Sequence, residues 1–204
     1  MLKKIAKMSF GLVLCSAMGL VNAAPYIGIS AGSNKGNWNL TDVNGNKLNF
    51  GGTSYTTSLF GGYGDMIYQA IYLGTEVAAN LGSTGGRNLT IATSSGLTTG
   101  SLKQSYGYGI SMLPAFVIYP GTFIFARIAI VRSHFQVNSA NATFNKSKNL
   151  NGKQGGLGIE HTLAGCFDIR AEYDITNYNP FNLFGQSMTP HNKQILVGLV
   201  YKMS

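Results

Sequence analysis

The chain has 204 residues, 27 of them glycine, with 11% charged and 11% aromatic residues and a formal net charge of +8. Ordinary soluble domains carry roughly 25% charged residues, so a water-facing surface would be thin here, whereas a lipid-facing one needs little charge. Two cysteines, and no Cys/His set at zinc spacing, argue against a disulfide scaffold and a structural zinc site.

Residues 1–23 read as a secretory signal peptide. Lys3, Lys4 and Lys7 form a basic start, Phe10 to Val21 an apolar stretch, and Val21-Asn22-Ala23 a small-residue cleavage site. The apolar part is too short for a membrane anchor, and Leu14 before Cys15 makes a poor lipidation signal. Cleavage after Ala23 removes three of the 15 basic residues and leaves 12 against 7 acidic ones, a net charge of +5, with Cys166 alone. Residues 24–204 are then one domain.

From there the sequence repeats with a period of two, which argues strand rather than helix. Ile27, Ile29 and Ala31 share one face, and Tyr26, Gly28, Ser30 and Gly32 the other. A second strand lies near 55–64. In 71–79, Ile71, Leu73, Thr75, Val77 and Ala79 oppose Tyr72, Gly74, Glu76 and Ala78. Gln104 to Ala126 contains no charge and is long enough to cross a bilayer as a helix, since about 20 apolar residues suffice. Its alternation of Tyr106, Tyr108, Ile110 and Met112 with Ser105, Gly107, Gly109 and Ser111, and its turn signal at Tyr119-Pro120-Gly121-Thr122, make it two strands and a tight turn instead. Ile124, Ala126, Ile128 and Ile130 then oppose Phe125, Arg127 and Ala129. Leu157, Ile159 and His161 oppose Gly156, Gly158 and Glu160. Phe167, Ile169, Ala171 and Tyr173 oppose Asp168, Arg170, Glu172 and Asp174. Finally Ile195, Val197, Leu199, Tyr201 and Met203 oppose Gln194, Gly198 and Lys202.

These are eight strands. Short connections near Gly64–Tyr68, Tyr119–Thr122 and Leu163–Cys166 alternate strictly with long polar ones at about 34–53, 81–101, 137–152 and 176–191. Outer-membrane barrels have short periplasmic turns and long external loops, which places both termini in the periplasm. A soluble β-sandwich also alternates. Against it stand the secretion signal, strands of about ten residues or more that can cross a membrane at a tilt, and a non-apolar face of glycines and charges. A closed barrel is also the only β structure that leaves no unpaired backbone in lipid. The fold class expected is an all-β, eight-stranded antiparallel up-and-down transmembrane barrel.

In Leu59-Phe60-Gly61-Gly62-Tyr63, Tyr72-Leu73-Gly74-Thr75-Glu76, Arg127-Ile128-Ala129, Gly156-Leu157-Gly158-Ile159-Glu160 and Arg170-Ala171-Glu172-Tyr173, by order and spacing, the chain resembles the OmpA-like eight-stranded outer-membrane barrels, including the OmpX and opacity-type proteins. The resemblance covers the whole of 24–204. It implies that charged side chains meet inside the barrel and plug it, and the matching positions are Glu76, Arg127, Glu160, Arg170 and Glu172. The period independently puts all five on the non-lipid face. An Arg at midplane on the lipid face costs roughly 2–4 kcal/mol, whereas an eight-stranded interior is just wide enough for side chains to fill. The family's gate also uses a lysine on the fourth strand. Ser111 or a neighbouring small residue stands there, which favours static packing over a switchable gate. The chain ends Tyr201-Lys202-Met203-Ser204, departing from the terminal aromatic common in such barrels.

No catalytic set is expected. One barrel deacylase family uses a His and a Ser two residues apart, but Ser133 and His134 are adjacent here. His161 and Glu160 point to opposite faces, and His191 lies in a loop or strand end. No cofactor is expected: Gly85-Gly86 lacks the Lys-Ser/Thr of a phosphate loop. Nucleic acid is the wrong partner for this compartment. Arg87, Arg132, Lys146, Lys148, Lys153 and Lys193, with Lys103, fall at the loop end, where they would meet phosphate-rich lipopolysaccharide. The expected protein is a monomeric, side-chain-plugged barrel of the bacterial outer membrane. Its partners are outer-membrane lipid, lipopolysaccharide and a host or surface ligand met through four external loops. The alternative is a small non-specific pore for ions or solutes.

Overall fold

The computed structural model describes residues 24–41, 47–81, 84–85, 89–93, 96–139, 146–183 and 186–203; the signal peptide expected over 1–23 lies outside them. Eight long strands form the wall: β1 (Ala24–Thr41), β2 (Lys47–Tyr68), β3 (Ile71–Asn80), β6 (Gly96–Tyr119), β7 (Thr122–Ser139), β8 (Lys146–Ala164), β9 (Phe167–Tyr178) and β11 (Gln186–Lys202). Each pairs antiparallel with the next, and β1 also pairs with β11 from Tyr26↔Lys202 to Thr41↔Ser187, so the sheet closes on itself. Short pieces β4 (Thr84–Gly85) and β5 (Leu89–Thr93) pair with β6, and β10 (Phe181–Leu183) pairs with β11.

The strand faces follow the alternation. Along β9 every second residue from Asp168 to Tyr178 is buried and those between are exposed. Outward stand Ile27, Ile29, Val77, Ile110, Ile128, Ile130, Leu157 and Ile195, all roughly half or more exposed. A water-soluble monomer rarely shows an apolar surface this continuous; lipid makes it favourable. Exposed aromatics border the band at both ends: Tyr68, Tyr119 and Phe167 at the turn end, and Tyr55, Tyr106 and Tyr108 at the loop end.

Two expectations need correction. The first short turn is not at Gly64–Tyr68: β2 continues to Tyr68, with a register shift between Met66 and Tyr68, and the turn is at Gln69–Ala70. The other two turns contain Gly121 and Gly165 at φ 76° and 54°, a left-handed backbone that glycine adopts without a Cβ clash. Second, much of each expected long loop is strand. β1 runs on to Thr41, β6 begins at Gly96, β7 reaches Ser139, β8 begins at Lys146 and β11 at Gln186. The ladder is backbone bonding and continues wherever neighbours are present. Beyond the lipid the outward face becomes polar and the inward face mixes Trp38, Leu150 and Met188 with Asn34, Gln104 and Asn192, so the outward apolar alternation that marks a strand disappears while the strand does not.

Candidate functional site: the barrel interior and its loop-end rim

The inward face carries the charge. Arg127 on β7 donates from Nη1 to Glu76 Oε1 on β3 at 2.7 Å, and from Nη2 to Glu172 Oε2 on β9 at 2.8 Å. Arg170 on β9 donates from Nη1 to Glu76 Oε2 at 2.6 Å and from Nε to Glu160 Oε2 on β8 at 2.7 Å. Glu76 therefore bridges both guanidiniums, one per oxygen, and it is almost fully buried. Such charge-assisted bonds are about twice as strong as neutral ones, and burial requires them, because an unpaired charge there would be strongly destabilising. Ser111 accepts from Arg127 Nη1 at 2.9 Å. A neutral hydroxyl cannot compete with Arg127 for Glu76.

The network extends past the five residues expected for it. Lys202 Nζ lies 3.4 Å from Glu160 Oε1 and contacts Asp168. Asp174 Oδ1 is 3.8 Å from Arg127 Nε, and its Oδ2 accepts from Gln154 Nε2 at 3.0 Å. Tyr26 donates its hydroxyl to Glu76 Oε2 at 3.3 Å. Asp168, Asp174 and Lys202 share the inward parity of their strands, a signal that could have included them.

Aromatic rings hold Arg170 in place. Its guanidinium lies 4.6 Å from the Phe60 ring centroid, 5.1 Å from Phe125 and 5.5 Å from Tyr26, within the range of cation–π attraction. Those rings press against glycines. A Cβ built on Gly158 would fall 2.2 Å from Phe125, and one on Gly28 would fall 2.3 Å from Phe60. The inward glycines thus make room for rings that reach across the narrow interior.

Toward the loop end the filling changes character. Trp38, Phe135, Leu150, Tyr178, Phe181 and Met188 form one buried apolar cluster with Ala129 and Val131. Beside it Gln104 donates to Ser133 at 3.1 Å and to Tyr178 at 3.2 Å, and Asn192 donates to Gln104 at 2.5 Å. Between this cluster and the charges lies a cavity of about 20 Å³, lined by Ser30, Ser58, Arg127, Asp174 and Gln194 among others. That volume holds about one water.

The outer rim is separate. Arg132, Lys153 and Lys193 are exposed on outward faces of β7, β8 and β11, and Lys148 is exposed with its Nζ 6.0 Å from the Phe181 ring. Arg87 and the side chain of Lys146 fall outside the described residues. His134 stacks on Tyr106 with centroids 5.0 Å apart and shares a hydrogen bond with Asn149. His161 pairs with Thr122 and His191 with Asn177. These histidines face outward and the buried carboxylates inward, so the wall separates them. Among the described residues no group of His, Cys, Asp and Glu could hold a metal ion.

A closed antiparallel ring with an apolar exterior and a charged, filled interior defines a transmembrane β-barrel. The chain belongs to the family described as outer membrane protein beta-barrel domain, whose model matches residues 10–202. No curated protein sequence matches it significantly. Solved structures share its fold. Neisserial surface protein A is 12% identical with a TM-score of 0.54, covering 90% of this chain and 100% of that one. The outer membrane protease OmpT of Escherichia coli is 9% identical with a TM-score of 0.54, covering 91% and 99%. A major outer membrane protein of Thermus thermophilus is 9% identical with a TM-score of 0.53, covering 90% and 100%. Family membership places the chain among proteins of the bacterial outer membrane.

Proposed function

We propose that this protein is a plugged outer-membrane barrel that anchors strand-extended external loops and contributes to envelope structure, rather than a pore or an enzyme. It is exported by a signal peptide cleaved after Ala23, and both termini face the periplasm. The observation that carries this reading is the filled interior. Among the described residues the charge network, the rings against Arg170 and the Trp38 cluster pack across the interior, and the cavity between them holds about 20 Å³, room for one water and not for a file of hydrated ions. The Arg87, Arg132, Lys146, Lys148, Lys153 and Lys193 rim faces lipopolysaccharide phosphates, and the loops meet a host or surface ligand. The protease among the similar structures lends this reading only its fold, at 9% identity.

Planar-bilayer conductance tests the plug. The refolded barrel should give no steady unitary current, and large persistent openings would establish the pore reading instead. Migration of outer-membrane fractions in SDS gels tests the barrel in the cell. The band should shift on boiling, and an unshifted periplasmic protein would refute the assignment.

A further inference from the structure

Lys35 on β1 and Lys193 on β11 are directly opposed in the closing ladder. Both are exposed, and both have the outward parity of their strands. Side chains so opposed have Cβ atoms about 4.5–5.5 Å apart, and like charges there are destabilising. Their other cross-strand neighbours, Thr53 on β2 and Ile175 on β9, are neutral. The acids offer no relief. Glu76, Glu160, Asp168, Glu172 and Asp174 are buried inside the barrel. Asp65 lies near the turn end, opposite Leu73, and Asp42 is outside the described residues. Among the described residues, then, no carboxylate lies beside the pair.

The surface below the pair is shaped. Toward the turn end, outward positions on β1 are Ser33 and Ala31, both small. Ser33 lies between Ile195 on β11 and Tyr55 on β2, and Ala31 between Val197 and Thr57. Tyr55 is 89% exposed and Ile195 61%, so they stand as walls on either side of a shallow trough along β1. The trough starts at two ammonium groups and runs into the apolar band.

From this juxtaposition, and resting on the rim reading above, we infer that Lys35 and Lys193 clamp the phosphate of a phosphorylated glycolipid of the surrounding leaflet, with an acyl chain along Ser33 and Ala31. One phosphate supplies the negative charge that the opposed lysines lack, and lysine serves as a point-charge phosphate ligand. The apolar trough selects a lipid phosphate over a free one.

The test uses the purified barrel in neutral detergent micelles. It is titrated with phosphorylated lipopolysaccharide, with the same lipid after enzymatic dephosphorylation, and with inorganic phosphate; binding is read by native mass spectrometry. Wild type should bind the phosphorylated lipid and neither of the others. A charged side chain at a lipid surface contributes about 5-fold in affinity. Lys35→Ala should therefore bind about 5-fold more weakly and Lys35→Ala/Lys193→Ala roughly 30-fold, while Gln69→Ala, exposed at the opposite, turn end of the barrel, binds as wild type. A gel shift on boiling establishes that each variant is folded, and the single variant serves if the double one is not. Should the double variant bind undiminished while Arg132→Ala/Lys153→Ala loses the lipid, the clamp is refuted and the rim reading stands. If wild type binds both lipid forms equally, both readings fall. Equal binding of inorganic phosphate overturns the lipid assignment.

Discussion

Removing Arg170 tests directly whether the interior ion pairs hold the barrel together. Arg170→Ala removes the partner of Glu76 Oε2 at 2.6 Å and of Glu160 Oε2 at 2.7 Å, and it empties the space between Phe60, Phe125 and Tyr26. Breaking a buried pair from one side typically destabilises by about 3–5 kcal/mol. Two features place this variant at the lower end. Glu76 keeps Arg127 at 2.7 Å, and Glu160 keeps Lys202 at 3.4 Å; water entering the vacated space also solvates the remaining carboxylates. The expected loss is therefore about 3 kcal/mol. Lys148→Ala removes an exposed charge that is 6.0 Å from a ring centroid and should change stability by less than about 0.5 kcal/mol. Trp38 is the single tryptophan and is fully buried, so its fluorescence reports unfolding without a label. Guanidinium titrations in detergent micelles should give a clearly lower midpoint for Arg170→Ala than for Lys148→Ala. Coincident midpoints would show that the interior ion pairs do not hold the barrel together.

Three further outcomes are expected. Gly158→Leu puts a Cβ 2.2 Å from Phe125, so the ring must leave Arg170; the boiling-dependent gel shift should appear for a much smaller fraction of the refolded protein than in wild type, and an undiminished fraction would refute the close-approach argument. Trp38→Ala opens the loop-end cluster and should destabilise by about 3–5 kcal/mol, read by thermal unfolding in circular dichroism; a change under about 1 kcal/mol would mean that the cluster does not contribute as packing. Epitopes inserted in 137–152 should be labelled by antibody on intact cells while one at Pro120–Gly121 is not, and the reverse pattern would turn the barrel upside down.

Which way a side chain points along a strand is a local property, and the sequence determined it. Two-residue alternation in Ile27-Gly28-Ile29 or Phe167 to Asp174 needs only a pleated backbone with lipid on one side. The outward face is apolar because lipid leaves no other stable choice, so eight strands and their faces were legible without coordinates. Strand length was not. From Asn34 to Thr41 the outward face is free to be polar and the inward one shows Trp38 among polar residues, so only the neighbouring strand's backbone reveals the ladder. Inward parity and mid-strand position narrow the partner of Arg170 to Glu76 or Glu160, but not how the five inward acids are shared between the two arginines. That Glu76 meets Arg127 and Arg170 depends on the registers of β3, β6, β7, β8 and β9 around a closed ring, a sum over several interstrand offsets that no single segment encodes. The same closure brings Trp38, Phe135, Leu150 and Met188 together from four different strands, and sets Lys35 against Lys193 across the seam between the first and last strands. Contacts across a barrel are fixed by its circumference and stagger, which exist only once the sheet has closed.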